Sequence, residues 1–309
     1  MATLRELIGI KIGRSGRKMS VFEATMRLVG NDLERLNKTS SRPGEEILTP
    51  TLLGLIVATF PWCVEVFGPD NVPGATCEWS QFKKHGSGPD SESRKGADFA
   101  LIVKVPDNKV RVAIFQAKHD GSECIPDGHI KLHHPLSGKR TNGAMQTQMG
   151  KLFDLGCDML GRSGHSTPSV KDLKWVHYFA QITDGLKCVQ LSQLAGELEV
   201  ELNSTGKPNY YEVPDNATSF HDVLLDAIET IPRFWHEFDL NIINACLPDL
   251  LKLMTAWVGD DKQGGAVAPV MSNGQLHPEK ELLISEEAPT VSEVKEALEK
   301  AISHTRRPG

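Results

Sequence analysis

The chain has 309 residues and a formal net charge of −6, with 34 lysines and arginines against 40 aspartates and glutamates. That length leaves room for one sizeable domain with an appendage or for two small ones, and the 39% hydrophobic and 24% charged content is that of a soluble globular protein. The net negative charge argues against a protein that coats nucleic acid non-specifically. The first thirty residues hold Arg5, Glu6, Lys11, Arg14, Arg17 and Lys18 and no apolar run of signal-peptide length, and no later apolar run has the length of a membrane span, so the expectation is a protein with no membrane partner that is cytoplasmic or delivered by a route without a cleaved signal.

Ser20-Val21-Phe22-Glu23 has the spacing of a capping box, and Val21, Met26, Leu28, Val29, Leu33 and Leu36 continue it into a helix ending near Asn37. After a turn-rich stretch, Thr51 to Phe60 is apolar enough for a buried helix. Its start lies either near Glu45 with a distortion or at Pro50 with Thr49 as its cap, because proline suits only a first helical turn. Three strands follow, Thr76 to Phe82, Asp98 to Val105 and Val110 to Ala117. The last two are joined by Pro106-Asp107-Asn108-Lys109 and form an antiparallel hairpin. Phe99, Leu101, Val103 and Val105 alternate with the also largely apolar Ala100, Ile102 and Lys104, which marks a central strand. The polar segment Lys83 to Lys95 reads as a loop, as does Asp120 to Asn142, which is rich in Gly, Pro and His.

Ala144 to Leu160 has helical spacing at Met145, Met149, Leu152, Phe153 and Leu155, and Lys174 to Thr183 is a fourth strand. This order describes an α/β fold in which helices flank a mixed sheet. Two apolar helical patterns, His221 to Ile231 and Asn241 to Trp257, suggest a helical C-terminal lobe. From Gly259 to about Pro289 the composition is that of a linker, and Thr290 to His304 reads as a short charged helix suited to docking on a partner. The expected organisation is therefore an N-terminal helical segment over 1–44, a core over 45–190, a helical accessory region over 191–258, and linker plus helix over 259–309. The six cysteines form no CxxC pair, and Cys124, His129, His133 and His134 are a poor zinc set by ligand spacing.

The charge is uneven: residues 81–174 hold 15 Lys and Arg against 10 Asp and Glu, which suits a surface that meets phosphates. Within that region Gly96-Ala97-Asp98 opens one hairpin strand and Gln116-Ala117-Lys118 closes the next, so their polar groups meet at one edge of the sheet. Gln116 and Lys118, two apart, leave the same face of the strand, while Ala117 points the other way into packing. A lysine ending so apolar a strand needs an anion or water nearby, and Asp98 supplies the anion.

This arrangement resembles the PD-(D/E)xK nuclease superfamily, with its restriction-endonuclease-like fold, in the variant where glutamine replaces the acidic residue of the last tripeptide, as in Mrr-like restriction enzymes and some anti-phage effector nucleases. The resemblance spans roughly Glu45 to Thr183. It implies that Asp98 is the metal carboxylate, Gln116 an amide ligand, Ala117 a carbonyl ligand, and Lys118 the group that orients or activates the attacking water. Mg²⁺, with Mn²⁺ as substitute, is the implied cofactor, since it takes oxygen ligands and few carboxylates. A glutamate from the preceding helix often joins such sites; Glu45 and Glu46 both fall in place and Glu46 is the one favoured, although either also suits a helix N-terminus on charge alone. In relatives the following helix faces substrate, which here brings in Gln146, Gln148 and Lys151. Two features depart from the family pattern. The Pro-Asp dipeptide occurs at Pro89-Asp90 in a polar loop rather than at Asp98, and Gln116 removes one charge from the site.

The expected function is a Mg²⁺-dependent endonuclease acting on DNA in bacterial restriction or anti-phage defence. The alternatives are a catalytically silent nucleic-acid-binding or assembly subunit that docks a helicase or ATPase or forms a homo-oligomer, and a secreted nuclease toxin.

Overall fold

A computed structural model describes residues 21–39, 44–71, 78–81, 95–105, 109–120, 125–141, 143–203, 208–246 and 256–257. The polar segment around Asp90, Cys124, and the C-terminal linker and helix lie outside the described residues. Along the chain run helices α1 (Val21–Asn37) and α2 (Glu45–Asn71), then strands β1 (Glu78–Gln81), β2 (Phe99–Val105), β3 (Lys109–His119), β4 (His129–Lys131), β5 (Pro135–Lys139) and β6 (Met145–Thr147). Helix α3 (Gln148–Arg162), strands β7 (Val176–Ile182) and β8 (Gly185–Gln190), helix α4 (Ala195–Leu202) and strands β9 (Tyr210–Glu212) and β10 (Thr218–Ser219) follow. Helix α5 (Phe220–Asp226), strand β11 (His236–Asp239), helix α6 (Leu240–Cys246) and strand β12 (Ala256–Trp257) complete the order.

The expected hairpin organises the rest. β2 and β3 pair antiparallel with Phe99 opposite Phe115 and Val105 opposite Lys109. β3 then pairs parallel with β7, and a parallel neighbour requires a crossover, which α3 supplies. The mixed sheet has the order β1-β2-β3-β7-β8-β10, with β11 on β3 and β12 on β2. Period-two alternation makes the sheet two-faced. Ala100, Ile102, Val112, Ile114 and Tyr178 pack with Met149, Leu152 and Met159 of α3, Leu198 of α4 and Ile243 of α6. Phe99, Leu101, Ala113, Phe115, Ala117 and Phe179 pack on the other face with α1, with Leu48, Leu52 and Ile56 of α2, and with Phe220 and Val223 of α5. Burial on both faces explains why β3 carries almost no solvent-facing position from Val110 to Lys118.

α1 has its expected bounds. α2 begins at Glu45 and continues through Pro50 to Asn71, well beyond Phe60. The expected helix from Ala144 starts only at Gln148, because Thr147 is its N-cap and accepts from the Gly150 N–H at 3.2 Å. The preceding Met145–Thr147 pairs with β5 through a turn at Gly143, whose φ is +82°. Part of the expected loop from Asp120 to Asn142 is thus strand. The C-terminal part is helical at α5 and α6, and its β10, β11 and β12 add to the sheet. Among the described residues no helix is long and apolar enough to cross a membrane.

Candidate functional site

β3 runs on past Phe115 while β2 starts only at Phe99, so beyond Phe115 the β2-facing edge of β3 has no strand beside it among the described residues. Asp98 fills that place. Its N–H donates to the Phe115 carbonyl at 3.0 Å, and its carboxylate Oδ2 accepts the Ala117 N–H at 2.7 Å. The carboxylate therefore takes the ladder bond that a continued β2 would have made, which fixes its position.

Continuing the register sets Asp98 opposite Gln116. The Gln116 amide Nε2 makes a short hydrogen bond to Asp98 Oδ2 and a second bond, of 3.2 Å, to the Ala117 carbonyl. Gln116 is 1% exposed, and its Oε1 finds no hydrogen-bond partner among the described residues. Lys118 lies two residues on, on the same face, 8% exposed and opposite Ala180 of β7. Ala117 packs its methyl on the other face with Phe99 and Phe115, as alternation requires.

The two oxygens that bracket the Gln116 amide are those expected to hold a cation. An amide nitrogen and oxygen exchange places on a half-turn of the terminal torsion. After that half-turn Asp98 Oδ2, Ala117 O and Gln116 Oε1 form an all-oxygen set of the kind Mg²⁺ takes, alongside water and substrate oxygens. The donor chemistry fits the ion. Among the described residues no group of three or more His, Cys, Asp or Glu side chains is placed to hold a metal. Any further carboxylate would have to come from elsewhere. The side chains of Glu45 and Glu46 lie outside the described residues; the helix that carries them packs Leu48 and Leu52 on the sheet face opposite Gln116.

Gly96 brings the next element to the site. Its φ is +70°, and a Cβ there would stand 2.4 Å from the Gln148 carbonyl oxygen, 2.8 Å from the Leu152 nitrogen and 2.9 Å from the Lys151 Cβ. Only glycine permits both that backbone and that approach. The first turn of α3 thus lies against the Gly96-Ala97-Asp98 segment. Of the three residues expected to meet substrate, Gln146 and Gln148 are buried, the former donating to the Thr147 carbonyl at 3.3 Å, whereas Lys151 is half-buried.

Three contributions escaped the sequence reading. Asp120 is buried and its Oδ2 accepts from the Gly128 N–H (3.1 Å), the Thr183 N–H (3.0 Å) and the Thr183 hydroxyl (3.2 Å), tying down the end of β3 just past Lys118. Tyr178 sits opposite Gln116 on β7, fully buried, with no hydrogen-bond partner for its hydroxyl among the described residues. Burial first, then the negative charges of Glu201 and Asp98, push that hydroxyl far above the usual tyrosine range, so it stays protonated. Glu201, 0% exposed, pairs with His133 at 3.1 Å, and this histidine of the poor zinc set is itself buried. A tyrosine inside the apolar strand WVHYFAQIT was the one local signal for this group.

A cleft of about 990 Å³, lined by Arg27, Lys187, Asp222 and Arg233, includes none of these residues. Its cations are engaged locally, Arg27 with Glu23 and Arg233 with Asp226. The chemistry points instead to the open edge of β3. No family model matches this chain, and no curated protein and no solved structure matches it either.

Proposed function

We propose that this chain is a Mg²⁺-dependent endonuclease of the PD-(D/E)xK type, with a restriction-endonuclease-like core, that hydrolyses phosphodiester bonds in DNA in bacterial restriction or anti-phage defence. The observation that carries the reading is the placement of the Gln116 amide between Asp98 Oδ2 and the Ala117 carbonyl, with Lys118 on the same face. Asp98, Ala117 and Gln116 would hold the ion. A divalent cation supplies positive charge that offsets the negative charge growing on the phosphoryl oxygens in the transition state. The ammonium of Lys118 orients the attacking water and attracts the phosphate. Lys151, carried against Gly96, adds a cation on the approach to the site.

The single described carboxylate and the neutral Gln116 favour a second reading, a silent nucleic-acid-binding subunit, because they leave the ion with little charge to hold it. One experiment separates the two: supercoiled plasmid with Mg²⁺ or Mn²⁺, the parent beside Asp98→Ala and Lys118→Ala. The parent is expected to nick and linearise the plasmid and both variants to lose the activity. A parent inert with every divalent metal supports the silent subunit, and undiminished cleavage by both variants rejects this site.

A further inference from the structure

From Gly128 to Phe153 the chain carries Lys131, Lys139, Arg140 and Lys151 and not one aspartate or glutamate, in a protein whose net charge is −6. This stretch forms β4, the β5–β6 hairpin and the first turn of α3, and it is fastened to the candidate site. The Gln148 N–H donates to the His134 carbonyl at 2.9 Å. The Arg140 guanidinium grips Asp154 with two bonds of 3.1 and 2.8 Å, holding the hairpin down on α3. The same turn of α3 rests on Gly96, two residues before Asp98.

Arg140 is neutralised by Asp154, but Lys139 is exposed, Lys131 and Lys151 are half-exposed, and none of these three forms an ion pair among the described residues. Cations without an ion-pair partner among the described residues, on one acid-free stretch of an acidic protein, are the footprint of a polyanion.

We propose that the β5–β6 hairpin and its base form a phosphate-binding arm that seats duplex DNA across the candidate site, with Lys139, Lys131 and Lys151 neutralising backbone phosphates that flank the bond to be cut. The inference rests on the nuclease reading above. A two-stranded ribbon fits the major groove of B-form DNA, whereas the deep, narrow major groove of A-form RNA excludes it, so the occupant is DNA.

The test is fluorescence anisotropy of a short labelled DNA duplex, titrated over a range of salt with the full chain carrying Asp98→Asn so that nothing is cut. Lys131→Glu and Lys139→Glu are each expected to weaken binding on the order of tenfold at low salt and to flatten the log–log salt slope by about one. Lys171→Glu, an exposed lysine in the short helix Val170–Asp172 beyond the far end of α3, is expected to bind like the unmodified background. Thermal melts confirm that all are folded. The arm is rejected if Lys131→Glu and Lys139→Glu bind undiminished, if Lys171→Glu weakens binding equally, or if an RNA duplex is preferred. Plasmid cleavage by the parent alongside undiminished binding by the arm variants removes the arm and leaves the nuclease reading. A protein that neither binds nor cuts DNA removes both.

Discussion

Replacing Gln116 with glutamate tests the site through stability alone, without requiring turnover. In the parent, the amide donates to Asp98 Oδ2 and to the Ala117 carbonyl from a position 1% exposed. At neutral pH an ionised glutamate has no proton to donate there, so a carboxylate would face a carboxylate and a carbonyl in a dry setting, and taking up a proton to restore the bond is itself a cost. The lost charge-assisted bond contributes roughly 1.5–3 kcal/mol and the neutral one about 1 kcal/mol, so the metal-free variant should be less stable by about 3 kcal/mol. For a domain of this size that corresponds to a fall in Tm of roughly 6–12 °C. A divalent ion reverses the sign of the contact, since three oxygens then face a cation. The ion stabilises parent and variant each by RT ln(1 + [ion]/Kd), so the gap narrows by the difference, about 2.7 kcal/mol if the added carboxylate tightens binding a hundredfold. Thermal melts of parent and Gln116→Glu in EDTA and over a Mg²⁺ titration should show a wide gap without metal that closes as metal is added. Equal Tm values in EDTA, or a variant indifferent to Mg²⁺ and Mn²⁺, would refute the reasoning. Complete loss of metal binding by calorimetry would count against position 116 as a ligand.

His177 is fully buried, stacks on Phe115 and bonds through Nε2 to the Phe234 carbonyl at 2.9 Å, and burial pushes its pKa down to about 4. The unfolded chain therefore binds the extra proton between about pH 6.5 and 4, so this stability is present above 6.5 and is lost as pH falls toward 4. Between pH 7 and 5 the loss is about 2 kcal/mol. Urea melts at the two pH values should show a smaller difference for His177→Gln than for the parent. His236, also driven down to about 4, tilts both proteins alike, so an unchanged difference would contradict the assignment. Gly96→Ala should lose about 2–3 kcal/mol by denaturant melt, from the positive φ and the clash with the Gln148 carbonyl, and its plasmid cleavage should fall with it. A neutral substitution would mean that α3 does not press on this segment.

What the sequence determined is what short-range rules reach. Helix α1 follows from apolar residues spaced three and four apart. The β2–β3 hairpin follows from period-two alternation on both sides of a turn too short for any other connection. That pairing is local arithmetic, and it already put Asp98 across from Gln116 and Lys118 on their face. What only the tertiary structure decided involves partners distant in the chain. Asp120 bonds Thr183, 63 residues away; Glu201 meets His133 across 68; and Gly96 touches a turn of α3 more than 50 positions later. No periodicity encodes such pairs, because each exists only once two faces of one sheet have been covered and the buried polar groups left over must find one another. The late start of α3 has the same origin: its apolar spacing extends back to Met145, but pairing with β5 claims Met145–Thr147 as strand and leaves Thr147 to cap the helix.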